Sequence, residues 1–380
     1  MRYGKGQRFA SEYQRFTDEL TGTTIHQLTQ FPCINHNLYF LNRSFSPDGL
    51  QVIVTSYRDG QPNLYEIAFP DGDIRQLTEG PDLHPFSACL SHDGSSIFFT
   101  RAGAVWKLQR QSLEEQRLAR FDNGQLGECN LSGTGTWLVT AIRQSGQSGV
   151  AVVQTDGSEA RIALRWPRTV IHPQFHPLDD GIIEFSNDPA PRMHLLYRDT
   201  GETECLYQHE NDEFIVHETF LGCTGDLVFT VWPFSLKRFH LDTRCAEEIS
   251  SFNAWHIAPD AAGARILCDT NHPDLGIQLV DVATGERKTI CDAKSSSQGS
   301  QWKTSRYAIA EDWARAAEQQ SQERQQSLSW MEMKTDTVYG PQWTHPHPSW
   351  STDERQIIYT SDVSGYPQVY VADLVAPTRS

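Results

Sequence analysis

The sequence predicts an all-β chain folded as a seven-bladed β-propeller, and three observations carry that prediction. A turn of the form Ser46-Pro47-Asp48-Gly49 followed by a strand recurs along the chain. The recurrence has a spacing of roughly forty residues, the size of a four-stranded blade. The two ends read as parts of one blade. An open sandwich would not explain so regular a period, because radial repetition lets each blade bury both faces against its neighbours.

Taken in order, Asp18 to Thr29 reads as an outer strand. The first full unit has Gln51 to Ser56 after its turn, then Asn63 to Ile67 beyond Arg58-Asp59-Gly60, then Ile74 to Thr78 beyond Pro70-Asp71-Gly72. That is strand and turn at sheet periodicity. Further copies begin at Ser91-His92-Asp93-Gly94, Ser132 to Gly135, His176 to Gly181, Cys223 to Asp226, Pro259 to Gly263 and Ser351 to Glu354. The last copy ends with Gln368 to Leu374, which reads as a third strand. The N-terminal strand is therefore expected to complete the last blade and remove the free edge. Residues 1–380 are read as a single propeller domain with an insertion at 294–335 before the seventh blade. Lys294 to Ser300 reads as a flexible loop, and Ala310 to Leu328 as an amphipathic helix and candidate lid.

Composition narrows the partners. The chain has 380 residues, 38% hydrophobic and 21% charged, with no apolar run of membrane-spanning length. Its N-terminus is basic but leads into Phe9-Ala10-Ser11-Glu12-Tyr13 and not an apolar segment, so a cytoplasmic location is expected. The net charge of -16 argues against nucleic acid and anionic membranes. Eight singly scattered cysteines suit reduced thiols better than a disulfide framework. No GxSxG, P-loop or GxGxxG pattern occurs.

The chemistry-bearing stretch is Gly340-Pro341-Gln342-Trp343-Thr344-His345-Pro346-His347-Pro348-Ser349-Trp350. In an extended segment stiffened by proline, His345 and His347 point to one face. With the Gln342 amide oxygen they can begin a divalent-metal site, although the pair alone also suits a proline-rich loop bonded to backbone. In a propeller the loops before the innermost strands converge on one mouth of the channel. Those loops carry His36, His84, His172, His217, His256, then Gln342, His345 and His347. His256 could complete a site of three histidines and one glutamine, a set that leaves coordination positions open on a six-coordinate ion such as Mn²⁺. With Arg192 at the same mouth, such a site in an acidic protein would be a receptor for a small anion.

The run Thr344 to Trp350, continued by Tyr359 to Pro367 and Tyr370 to Leu374, resembles the C-terminal blade of the oligogalacturonate lyases. Asp18 to Thr29 with His36, Tyr39 and Phe40 is similar to their N-terminus, and His217-Glu218 and Arg192-Met193 to two of their inner segments. The resemblance implies a seven-bladed propeller lyase of the cytoplasmic end of pectin breakdown. It implies Mn²⁺ held by His256, Gln342, His345 and His347, with His217 as base and Arg192 as the active-site arginine. His36, His172 and Tyr39 are the candidates to touch a small anionic oligosaccharide by other means. A lyase on a different uronide, or a non-catalytic propeller that holds protein partners, stays open as an alternative.

Overall fold

The recurring turn is built alike in the copies at Ser46, Ser91 and Ser351. Ser46 Oγ donates to Asp48 at 2.6 Å and accepts the Gln51 N–H at 3.0 Å, while Gly49 turns the corner at φ 72°. Ser91, Asp93 and Gly94 repeat this, and Ser351 and Asp353 do so with Glu354 in the left-handed position at φ 56°. The side-chain oxygens bond backbone groups that a tight turn leaves unpaired. The same hydrogen bonds hold the Asp93 carboxyl down at about 2.

A computed structural model describes residues 3–188, 190–210, 213–297 and 342–374, and their strands form seven antiparallel sheets arranged as blades. Blade I runs from Asn35–Asn37 to Ile74–Gln76, blade II from Cys89–Leu90 to Glu115–Arg120, and blade III from Gly124–Leu131 to Ala160–Trp166. Blade IV runs from Thr169–His176 to Thr203–Cys205, blade V from Ile215–Phe220 to Cys245–Ser250, and blade VI from Ala254–Pro259 to Arg287–Cys291. Blade VII draws Ser349–Trp350, Gln356–Ser361 and Gln368–Asp373 from one end of the chain and Thr24–Gln27 and Gln14–Thr17 from the other. The expected closure is therefore present, with Ile25 opposite Ala372 and Gln27 opposite Tyr370. Closure goes further than expected, since Gln14–Thr17 adds a fifth strand to blade VII and Arg8–Phe9 a fifth to blade I.

The core lies between the blades. Ile53, Leu64, Ile97 and Phe99 fill the seam of blades I and II, Cys89, Val105, Leu138 and Val153 that of II and III, and Val152 and Phe185 that of III and IV. Leu195 with Phe229 fills IV and V, Val228 with Ile266 fills V and VI, Leu267 with Trp350 fills VI and VII, and Val371 with Tyr65 fills VII and I. Every blade thus shares an apolar layer with both neighbours, which is a closed ring.

The expected helix over Ala310 to Leu328 and the candidate lid lie outside the described residues. The part of the insertion that is described is tied down, because Ser296 N donates to Asp362 at 2.8 Å and Ser297 N to the Thr344 carbonyl at 3.1 Å. Among the described residues no helix is long and apolar enough to cross a membrane. Four cysteines are buried, Cys33 and Cys205 are half-buried, and Cys223 and Cys245 are exposed.

Ile25 tests the closure. It is fully buried in the seam of blades VI and VII although it comes from the far end of the chain. Ile25→Ala is expected to cost about 2–4 kcal/mol in urea unfolding. Phe16→Ala, at a side chain 45% exposed, is expected to cost under about 1 kcal/mol in the same titration.

Candidate active site

A repeated irregularity aims the side chains at the channel. In blades III to VI the innermost strand slips by one residue against its partner, between Leu126 and Cys129, Ile171 and Gln174, Val216 and Thr219, and Ala254 and Ile257. Each slip is a bulge in which two residues stand against one, and bulges re-aim side chains that alternation would send into the seams. The bulge residues are Gly127-Glu128, His172-Pro173, His217-Glu218 and Trp255-His256. His172 and His217 sit there at φ 54° and 56°, and His347 in blade VII at 45°. Such positive values are strained for a side chain of this size and persist only where surrounding structure enforces them.

The imidazoles meet at the hub. The His217 ring lies 4.2 Å from that of His256, and the His256 ring 3.9 Å from that of His347. His345 stands further off, 5.4 Å from His256 and 6.0 Å from His347. His347 Nε2 and Gln342 Oε1 are 3.0 Å apart. His256 Nδ1 is bonded to Asp269 at 2.8 Å, and His256 Nε2 has no hydrogen-bond partner among the described residues. Tyr39 and Phe40, from the loop after the first strand of blade I, fill the axis. Tyr39 Oη bonds His172 Nε2 at 2.8 Å, and its ring is 5.1 Å from His347. The Phe40 ring lies 5.4–5.8 Å from those of His256, His217 and His172. His36 is buried against Phe86, 4.3 Å between rings, and Phe86 in turn faces His347.

Arg192 comes from the turn between the second and third strands of blade IV and is buried. Its Nε donates to Glu218 and a terminal nitrogen to Asp188 at 2.5 Å. Glu218 also accepts from Ser186 Oγ at 2.8 Å. Burial, reinforced by the Glu218 charge, pushes the neighbouring Glu184 carboxyl well up. Glu128 accepts the His172 N–H at 2.6 Å and is pushed up to about 7 by burial.

All the site residues expected from sequence come to this region: His217, Arg192, His36, His172, Tyr39, His256, Gln342, His345 and His347. Sequence reasoning did not single out Glu128, Asp269 or Phe86. Asp269 did leave a signal, as an acid inside the apolar strand Ile266-Leu267-Cys268-Asp269-Thr270.

Burial, followed by neighbouring imidazoles and Arg192, pushes His217 well below its ordinary value. Burial and the neighbouring imidazoles do the same to His256 and His347. Neutral imidazoles present lone pairs, so two ring nitrogens, a third within reach and an amide oxygen fit a divalent ion of intermediate hardness. A tighter acidic cluster, Asp226, His240 and Asp242 on blade V, suits one less. There Arg238 donates to Asp226 from two nitrogens, and His240 bonds Glu247.

Burial also holds His36 and His84 at about 4. Their folded values lie below the unfolded value near 6.5, so between pH 6.5 and 4 the unfolded chain binds protons that the folded chain refuses, and stability falls with pH. Glu128, raised to about 7, acts in the opposite direction. A single-site difference therefore isolates the effect. His84→Asn, whose amide oxygen can still accept the Phe86 N–H, is expected to gain roughly 2 kcal/mol relative to the parent as pH falls from 6.5 to 5, read from urea midpoints.

The chain has relatives among known proteins. The family model described as oligogalacturonate lyase matches residues 3–144. The oligogalacturonate lyase of Dickeya dadantii (strain 3937) is 21% identical over 422 aligned positions, covering 97% of each chain. A solved oligogalacturonate lyase in complex with manganese superposes with a TM-score of 0.81 at 20% identity, over 98% of this chain and 99% of its own. The solved oligogalacturonate lyase of Vibrio parahaemolyticus gives 0.79 at 18% identity, over 99% and 100%. In sequence over residues 3–144, and more distantly over its whole length, the chain is similar to the oligogalacturonate lyases, and it shares their fold.

Proposed function

We propose that the protein is a divalent-metal-dependent lyase that cleaves short oligogalacturonides, of the size of digalacturonate, by β-elimination. The products are a 4,5-unsaturated uronate or the 5-keto-4-deoxyuronate that it rearranges to. The observation that carries this reading is the unbroken run of imidazoles from His217 through His256 to His347, at 4.2 and 3.9 Å. It sets a neutral base beside a ligand set on one wall of the hub. The manganese in the solved relative supports the ion, and the names of the relatives support the substrate class.

The chemistry follows from the groups. A uronide has at C5 a proton α to its carboxylate, and an ionised carboxylate resists the negative charge that C5 gains as the proton leaves. A divalent ion, Mn²⁺ by preference, would be held by His256, His345, His347 and Gln342 and would supply Lewis-acid stabilisation of that carboxylate. His217 takes the C5 proton. Its Nδ1 has no hydrogen-bond partner among the described residues, and burial keeps the ring neutral. The C–H electron pair becomes the C4–C5 double bond, the C4–O bond breaks, the departing oxygen takes a proton from water to become a hydroxyl, and His217 gives its proton back to the solvent. Arg192, its guanidinium bonded to Glu218 and Asp188, is the cation that would meet the substrate carboxylate. His36, His172 and Tyr39 position the sugar ring.

The test is His217→Ala assayed with digalacturonate and Mn²⁺ by the ultraviolet absorbance of the unsaturated product. Turnover is expected to fall about a thousandfold while bound metal, by elemental analysis, stays at the parental ratio. His347→Ala is expected to lose both. A parent protein that carries metal yet yields no absorbance with any uronide would overturn the proposal.

A further inference from the structure

In each of the four bulges, two residues of the innermost strand stand opposite a single residue of the second strand. The register makes that residue Ala141 in blade III, Phe185 in blade IV, Phe229 in blade V and Asp269 in blade VI. All four are buried. Three blades fill the position with an apolar side chain that packs into a seam, and only blade VI has a carboxylate. Burying a carboxylate is costly unless its oxygens are bonded, so its presence asks for a compensating use.

That use is visible in its partners. Asp269 Oδ1 accepts the His256 backbone N–H at 2.6 Å, and Oδ2 bonds His256 Nδ1 at 2.8 Å. The same Oδ2 accepts the backbone N–H of His347 at 3.2 Å. Both oxygens already accept a backbone N–H, so an ionised carboxylate here would also accept the His256 ring proton from Nδ1 and leave the lone pair on Nε2, the ring nitrogen without a hydrogen-bond partner among the described residues. The bond to His347 N pins a second candidate ligand, from blade VII, to the second strand of blade VI.

We infer that Asp269 is a positioning residue that fixes the tautomer of His256 and holds His256 and His347 in register, so that both rings stand around one divalent ion. This rests on the metal-site reading above. A carboxylate behind a ligating imidazole both orients the ring and makes it a stronger donor, and losing such a partner typically lowers metal affinity 10- to 100-fold. An amide at 269 would change the logic, because its N–H₂ can donate to Nδ1 and move the ring proton to Nε2.

The experiment uses the full chain and its Asp269→Asn variant, with three readouts. Mn²⁺ and Co²⁺ titrations by calorimetry are expected to show affinity falling about 10- to 100-fold in the variant. Nitrogen-15 spectra of the metal-free proteins, with His256→Gln to assign the resonance, are expected to show His256 as the Nδ1–H tautomer in the parent and not in the variant. Urea midpoints report folding separately. If Asp269→Asn does not fold, Asp269→Glu, which keeps the charge but displaces it, is expected to lose affinity likewise. Unchanged affinity in a folded variant, or an Nε2–H tautomer in the parent, would overturn the inference. The tautomer measurement needs neither metal nor sugar, so a protein without turnover on uronides would sink the proposed function while leaving Asp269 to be judged by its own data.

Discussion

The pairing of Thr24–Gln27 with Gln368–Asp373 is the constraint on which the rest depends. Each blade shares its apolar layer with two neighbours, so a ring lacking one strand would expose a sheet edge and open two seams at once. The hub groups come from blades I, IV, V, VI and VII, and no two consecutive blades alone could bring His172, His256 and His347 around the Tyr39–Phe40 pair. Ring contacts of 3.9–6.0 Å among side chains so far apart in sequence persist only while the circle is shut.

Within that ring the bulge does the local work. A regular inner strand would send alternate side chains into the seams, as it does with Ile215 on blade V. The extra residue breaks the alternation and turns His172, His217 and His256 toward the axis, at the cost of left-handed backbone at the first two. Deep burial then keeps these rings uncharged, since a charged imidazole would lose its hydration without gaining a counter-ion. The same burial that favours neutral donors raises Glu128 and Glu184, while the Arg192 guanidinium is bonded to the neighbouring Glu218.

Much of this was legible in the residues, and the limit has a physical cause. Turn sequences such as Ser46-Pro47-Asp48-Gly49 state their own geometry, because serine and aspartate bond the local backbone and glycine takes the left-handed corner. Their period gave the blades, and the loops upstream of them gave the histidines. Asp269 and Glu128 escaped because their roles depend on register across strands and between blades, where a shift of one residue decides whether a side chain meets a seam or the channel. The five-stranded edges of blades I and VII escaped for a related reason. Arg8–Phe9 and Gln14–Thr17 are short, and only their partners make them strands.

The pairing of Arg192 with Glu218 and Asp188 has an electrostatic consequence for the order of events. Its cation is already compensated, the imidazoles around it carry no charge, and the chain as a whole bears -16. Under the proposed function, most of the attraction for a negatively charged sugar would therefore arrive with the ion. Loading would be sequential, metal before saccharide, and the saccharide would in turn hold the metal more firmly by reciprocal linkage.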